Sequence, residues 1–372
     1  MIEIEELRSR RGRRRFVQFQ FDLYSGDPVW VPPIFADEVR ALDRTKNPGL
    51  EGSEVRSWLA MRDGNCVGRV AGVINSRDNE MRGTTAARFC LIDFIDDREV
   101  SERLVETVTE WARQAGMTRL EGPLGLTTFE RSAVLVEGFD RLPTAVSSYN
   151  FPYYPAHFEA LGFKKQVDYV EHRFRLPREL DPRYLKVASY MLKKKGLQRL
   201  EMKSRKKLLA RGREIFHLVN AAYSDLYEFT PMSDCEIDAL ITKFFSFIDP
   251  RFVKLVADRE GAIVAVGVGM PSLSEGLQAA RGRLWPFGFL KLFRAVKRTD
   301  TLDLYLIAVK PALRNTGLNA IVMQDMHAEI AKAGMDWVET NGELETNTRV
   351  LSMWKDIEHE THKRRRIYTK AI

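Results

Sequence analysis

The feature that most constrains this chain is a weak internal repeat that runs through its length. Each half reads as strand, glycine turn, strand, long gap, strand, helix and strand, and a repeat of this kind sets the fold before any motif does. In the first half, Ser57–Arg62 and Val67–Asn75 flank Asp63-Gly64, a hairpin signal. Ala87–Phe94 reads as a third strand. Val100, Leu104, Val108, Trp111 and Ala115 recur at helical spacing over Arg98–Ala115. Gly116 closes that helix, and Arg119–Gly122 opens the next strand. In the second half, Phe252–Asp258 and Ala262–Met270 flank Arg259-Glu260-Gly261, and Thr301–Val309 is the third strand. A helix over Thr316–Ala333 carries Leu318, Ile321, Val322 and Ile330 on one face, and Asp336–Thr340 follows Gly334. A chain of 372 residues has room for two cores. The expected organisation is a first domain over 1–178, a basic helical linker over 179–200 and a second domain over 201–372. The class is α/β (α+β), each domain a mixed sheet flanked by helices.

One stretch carries chemistry. Val309-Lys310-Pro311-Ala312-Leu313-Arg314-Asn315-Thr316-Gly317-Leu318-Asn319-Ala320 ends a strand, turns and opens a helix. The start of a helix presents unpaired N–H groups and the positive end of the dipole, which together bind phosphate. Gly317 lets the backbone approach a ligand, and Arg314 can add a charge-assisted contact. The corresponding place in the first half is Asp93-Phe94-Ile95-Asp96-Asp97, acidic and without glycine. It would repel a pyrophosphate.

Arg314-Asn315-Thr316-Gly317-Leu318-Asn319-Ala320 resembles the R/Q-x-x-G-x-G/A pyrophosphate motif of the GNAT superfamily of acyl-CoA N-acyltransferases, with one residue more before the small residue. Asn347, Val350 and Trp354 fall in that family's N-x-x-A-x-x-x-Y frame beside pantetheine, with Trp354 where the family often has a tyrosine that protonates the leaving thiolate. Phe158-Glu159-Ala160-Leu161-Gly162-Phe163 is similar to the end of the family's last helix. The resemblance implies two tandem GNAT-like domains and acyl-CoA as co-substrate. The cofactor would be held once, at Val309, Arg314, Asn315, Thr316, Gly317, Leu318, Asn319, Ala320 and Asn347. The first half would serve the acceptor side. The layout as a whole, with Glu343-Leu344-Glu345-Thr346-Asn347, is similar to tandem-GNAT proteins of the bacterial ceramide synthase type, which implies a long acyl chain moved to the amine of a sphingoid base.

Attack by an amine needs a base to take its proton. Asp303 and Tyr305 share one face of the third strand, Glu339 ends the next, and Glu343 and Glu345 follow in the loop. Asp303, Tyr305 and Glu339 are the leading candidates. His359 and His362 have no partner ligands at metal spacing, so no metal is expected. The insertion Arg281–Arg298 interleaves Trp285, Phe287, Phe289, Leu292, Phe293 and Val296 with Arg283, Lys291, Arg294, Lys297 and Arg298. It suits a membrane headgroup boundary, a roof over an acyl-chain pocket or simple packing on the core.

Charge and cysteines set the surroundings. The net charge is +7, clustered at Arg8–Arg15, Lys193–Lys207 and Lys363–Arg366. Such blocks suit CoA phosphates, an anionic membrane face or nucleic acid, the last ranking below the others. Cys66, Cys90 and Cys235 are odd in number and far apart, which argues for a reducing compartment. Met1–Arg15 lacks the apolar core of a secretory signal. The expected location is the cytoplasm, with the inner membrane face as a peripheral alternative. The competing readings are a GNAT acetyltransferase for a small or protein amine and a non-catalytic protein binding acyl-CoA or nucleic acid.

Overall fold

The computed structural model describes residues 1–227, 229–244 and 248–372. The first half contains β1 (Glu3–Glu6), α1 (Arg10–Leu23), α2 (Phe35–Ala41), β2 (Ser53–Arg62), β3 (Asn65–Asn75), α3 (Ser76–Arg82), β4 (Ala86–Phe94), α4 (Arg98–Gln114), β5 (Arg119–Gly122), β6 (Val134–Glu137), α5 (Tyr154–Ala160) and β7 (Lys164–Arg175). Asp63 and Gly64 both take positive φ, 50° and 77°, as a two-residue turn matching the strand twist requires. Arg62 then pairs with Asn65. Helix α4 lies on the sheet with Val100, Leu104, Val108 and Trp111 of its predicted stripe buried, while Ala115 falls just past the helix end and is exposed. Trp111 reaches the strand because Gly72 has no side chain: a Cβ there would sit 2.4 Å from the indole.

The second half repeats the order with α6 (Pro182–Lys195), β8 (Gln198–Leu200), α7 (Arg205–Ala210), α8 (Gly212–Tyr223), α9 (Asp234–Phe244), β9 (Val253–Ala257), β10 (Ile263–Pro271), α10 (Ser274–Ala280), α11 (Gly288–Val296), β11 (Thr301–Val309), α12 (Asn319–Lys332), β12 (Trp337–Thr340), β13 (Glu343–Leu344), α13 (Thr348–Leu351) and β14 (Glu360–Ala371). Ala188 and Met191 of α6 share a buried cluster with Leu318 and Ile321 at the start of α12. Helix α6 thereby buttresses the turn that carries the phosphate motif, and β8 extends the sheet at its edge beside β9.

The strands form one mixed, mainly antiparallel sheet in the order β1-β2-β3-β4-β5-β14-β7-β12-β11-β10-β9-β8. Among the described residues only β4–β5 and β11–β12 run parallel, at equivalent places in the two halves. The halves exchange their last strands. β14 pairs with β5 of the first half, β7 pairs with β12 of the second, and β14 and β7 pair with each other along most of their length. Helices flank this continuous sheet, and no helix is long and apolar enough to cross a membrane among the described residues.

The aromatic insertion departs from a single amphipathic helix. It is a helical hairpin in which α11 rests on α10 through Leu292, packed where Gly276 leaves room for it. Phe293, which shares the apolar stripe of the sequence pattern, faces outward instead. A helix of nine residues with one neighbour can bury only a narrow strip.

Candidate active site

The parallel pair β11–β12 holds register from Thr301↔Trp337 to Leu304↔Thr340, and there the two strands part. Strand β11 continues to Val309 beside β10, while the chain after Thr340 turns away to form β13 on β7. The wedge between them opens into a cavity of about 540 Å³, within the roughly 300–1,000 Å³ range of small-molecule sites. Its inner wall is apolar: Phe216, Val268, Leu306, Val322, Met326 and Met353. Leu124–Ser132 and Pro33, Ile34, Asp37 and Glu38 of the first half close the other side. The cavity therefore lies between the halves, and both build it.

Of the predicted catalytic side chains, Tyr305 lines this cavity. Its hydroxyl is buried and has no hydrogen-bond partner among the described residues. Burial, then the nearby Asp303, raises its pKa well above the usual phenol value, so it stays protonated. Asp303 and Glu339 stand opposite one another in the β11–β12 register, one residue before the strands part, and neither lines the cavity. Asp303 is fully buried, and burial followed by repulsion from Glu339 raises its pKa strongly. Glu339 is engaged: Lys363 Nζ donates to it and His362 Nε2 lies 3.3 Å away. Burial would raise the Glu339 pKa, but His362 and Lys363 outweigh it and hold the group ionised.

Glu171, Glu339 and His362 place their ligand atoms within 4.8 Å of one another. The ammonium of Lys363 bonds to both carboxylates, at 3.2 Å to Glu171. Arg365 Nε donates to the other Glu171 oxygen at 2.6 Å. Burial pushes Glu171 up, yet Arg365 and Lys363 overcome it and bring its pKa to about 2. This cluster is a buried ion network whose positive charge comes from side chains, joining β7, β14 and β12 behind the cavity.

Glu343 is the carboxylate that the second half contributes to the cavity lining; the first half contributes Asp37, Glu38 and Glu130, and burial raises the Glu130 pKa to about 7. Both oxygens of Glu343 accept from the indole N–H of Trp354, at 3.0 and 2.9 Å. Burial raises its pKa to about 8, and the Trp354 bond only partly offsets this. The nearest histidine, His172, is 3.7 Å away and itself depressed to about 4 by burial, so it supplies no countercharge. A carboxyl that titrates near neutrality inside an apolar cavity has the properties of a general base. Sequence reasoning placed Glu343 among the loop carboxylates without singling it out, because strand alternation ends at Thr340. The available signal was Trp354: a buried indole N–H needs an acceptor.

The turn expected to hold phosphate lies at the outer end of α12, whose next turn (Val322, Met323, Met326) lines the cavity. Val309 ends β11, and Lys310 N–H ties back to the Val264 carbonyl at 2.8 Å. Asn315 and Gly317 both take positive φ, 61° and 85°. This conformation points successive N–H groups outward. The N–H groups of Asn315, Thr316, Gly317 and Leu318 have no acceptor among the described residues. The side chains of Leu318 and Ala320 are buried in the core, so these residues offer only backbone. Asn319 starts the helix, and Thr316 Oγ1 donates to the Leu313 carbonyl. The Arg314 guanidinium points back to α8, donating to Asp225 at 2.8 Å and to the Ala222 carbonyl at 2.7 Å. In this arrangement it holds the turn in place. Asn347 stands at the N-cap position of α13 without a side-chain cap bond, and lines the cavity.

In the first half the equivalent places are filled. Asp97 caps α4 with its own carboxylate, accepting from Glu99 N–H at 2.9 Å, and pairs with Arg62 at 2.8 Å. Tyr154 Oη takes the Phe94 N–H at 3.0 Å, and Phe89, Phe158, Phe163 and Tyr368 pack into the wedge. Asp93 is neutralised internally by Arg69 at 2.7 Å and accepts from Tyr24 at 2.8 Å.

No family model matches the sequence. Protein YghO of Escherichia coli K12 is 28% identical over 366 residues, covering 96% of this chain and 93% of that protein. The bacterial ceramide synthase of Caulobacter vibrioides is 26% identical over 373 residues, covering 96% and 94%. Among solved structures, a tandem GNAT protein from the clavulanic acid biosynthesis pathway superposes with a TM-score of 0.56 at 14% identity, covering 100% of this chain and 98% of that one. The glucosamine N-acetyltransferase region of a fungal GH3 β-N-acetylglucosaminidase gives 0.54 at 13%, covering 100% of this chain and 38% of that one. The repeated wedge, the exchanged last strands and the whole-length superposition make this chain a protein of the tandem GNAT fold.

Proposed function

We propose that the protein is an acyl-CoA-dependent N-acyltransferase that moves a long acyl chain to the amine of a lipid, a sphingoid base being the acceptor class that fits best. The observation that carries this reading is the apolar cavity at the β11–β12 wedge with Glu343 in its wall. Whole-length similarity to the Caulobacter ceramide synthase supports the acceptor class. The pyrophosphate of CoA would lie on the open N–H groups of Asn315–Leu318, with pantetheine running past Asn347 into the wedge. The lining has room and character for an acyl chain, which gains transfer free energy there that an acetyl group does not.

Glu343, directly or through water, takes the proton of the entering ammonium. The freed amine nitrogen attacks the thioester carbonyl, a C–N bond forms, and the C–S bond breaks to leave the CoA thiolate. Tyr305 offers its unpartnered O–H to the developing negative charge. Attack leaves the nitrogen positively charged, so it sheds a second proton as the intermediate collapses; one proton goes to the thiolate sulfur through water and the other leaves Glu343 for solvent. Asp303 and Glu339 act as positioning residues that fix the apex of the wedge. One cofactor binds per chain, because the first half has its own side chains in the matching places.

The test is product analysis by mass spectrometry after incubation with sphinganine and either palmitoyl-CoA or acetyl-CoA. The expected product is the long-chain N-acyl amine, formed with marked preference for palmitoyl-CoA. Equal turnover of the two donors, or reaction with water-soluble amines alone, overturns the lipid reading.

A further inference from the structure

The helical hairpin α10–α11 presents a surface whose composition differs from the rest of the molecule. Trp285 is 84% exposed, Phe287 70%, Phe293 60% and Leu290 45%. They project from the loop before α11 and from the side of α11 turned away from Leu292, its buried contact. Residues 281–298 contain six Lys and Arg and no Asp or Glu. None of these six cations makes an ion pair among the described residues. An isolated exposed aromatic is ordinary, but a cluster of four large apolar side chains ringed by unpaired cations marks an interaction surface.

The fold adds a second basic element from the other end of the chain. Arg283 donates to Gln18 at 2.9 Å and lies over the rings of Phe21 and Phe35, at 5.8 and 4.4 Å. Arg14 reaches the same Phe35 ring at 5.6 Å. Helix α1 therefore lies against the insertion. Its exposed Arg10, Arg11 and Arg14, also without acidic partners among the described residues, extend the basic rim. Beneath this rim the cavity is one layer away. Leu273 and Leu277 at α10 and Pro33 and Ile34 before α2 line it, and the Phe35 N–H bonds to the Gly282 carbonyl at 2.9 Å.

We propose that this surface docks the protein on an anionic lipid bilayer. Trp285, Phe287, Leu290 and Phe293 enter the headgroup boundary, and the basic side chains of α11 and α1 face the lipid phosphates. The chemistry decides the occupant. A neutral apolar partner would leave the cations uncompensated. A nucleic acid would leave the four apolar side chains in water, because its phosphates do not cover them. A bilayer with negative headgroups satisfies both at once. Docking here brings the bilayer to the side of the molecule where Ile34 and Leu277, packed together, wall the cavity. The purpose of the docking rests on the lipid-acceptor reading above; the surface itself does not.

The test is flotation of the full chain with vesicles of pure phosphatidylcholine and of phosphatidylcholine with about one third phosphatidylglycerol, at low and high salt. The expected result is binding to the anionic vesicles alone, weakened at high salt. The combined variant Trp285→Ser, Phe287→Ser, Phe293→Ser should reduce vesicle binding about tenfold or more. It should keep its thermal melt and its rate on detergent-dispersed amine, since none of the three residues lines the cavity. A second variant, Arg294→Glu with Lys297→Glu and Arg298→Glu, should lose binding without removing any aromatic. Equal binding to both vesicle types, undiminished binding by both variants, or tighter binding to duplex DNA or RNA each overturns the proposal. So does self-association of the chain that the serine variant abolishes. Vesicle binding without any acyl-transfer product would overturn the enzymatic reading and leave this one standing.

Discussion

Replacing Glu343 by glutamine removes the proposed base while retaining an acceptor for the Trp354 indole, so packing is preserved. With a pKa of about 8, only about one molecule in ten carries an ionised base at pH 7. The wild-type kcat/KM should therefore rise about tenfold per pH unit below pH 8 and level off above it. Loss of general-base assistance typically lowers the rate about 10²–10⁴-fold, or roughly 3–5 kcal/mol of barrier. The assay is release of CoA thiol, followed from pH 6 to 9.5 with saturating palmitoyl-CoA. Stability must move oppositely. In the unfolded chain the carboxyl titrates near its ordinary 4.5, whereas the folded protein retains the proton up to about 8. Between those values the folded state binds more protons, so wild-type stability declines as pH rises through the window. Glutamine carries no charge to bury, so the variant gains relative to wild type by a few kcal/mol by pH 9 and by nothing below pH 4. A variant with near-normal kcat/KM, an unchanged acidic limb, or a melting-point difference independent of pH would refute the reasoning.

Trp354→Phe removes the hydrogen bond that favours ionised Glu343, so the acidic limb should shift to higher pH while the plateau rate survives; an unshifted limb removes Trp354 from the account. Gly317→Ala puts a Cβ 2.4 Å from Val187 at a φ of +85°, which should cost about 1–2 kcal/mol in urea unfolding and raise the KM for acyl-CoA. An unchanged KM would take the turn out of cofactor binding. Lys363→Met leaves Glu171 and Glu339 facing each other with one cation fewer and should lose about 3–5 kcal/mol of stability, partly restored by adding Glu339→Gln. Calorimetric titration with palmitoyl-CoA should give one site per chain, and two sites would show that the first-half wedge opens.

The repeat, the hairpins, the third strands and the helices that follow them were legible because each depends on local patterning: apolar alternation, glycine turns and helical spacing. Strand β11 falls on Thr301–Val309 as expected, and α12 starts three residues later than its pattern because the motif before it is a turn with two positive φ values. The exchange of β7 and β14 has no local signature, since both are apolar-polar strands that would fit either half. The site divided in the same way. The strand-turn-helix setting of Arg314–Ala320 was legible, but the direction of the Arg314 side chain depended on Asp225, distant in sequence. Alternation puts Asp303 and Tyr305 on a shared strand face, but the β10–β11 register passes from Leu304 to Leu306 and skips Tyr305, and Tyr305 lines the cavity while Asp303 does not.

The position of β14 also governs the order in which this protein can be made. Its residues complete the sheet against β5, pairing Thr369 with Glu121, so that edge waits for a segment synthesised almost 250 residues later. At ordinary elongation rates that is on the order of 10–50 s, during which the first half carries an unfilled slot beside Arg119–Gly122. The two halves look like duplicated modules, but neither is a portable one. A gene cut between them would yield two pieces, each missing a central strand and offering an open edge for aggregation.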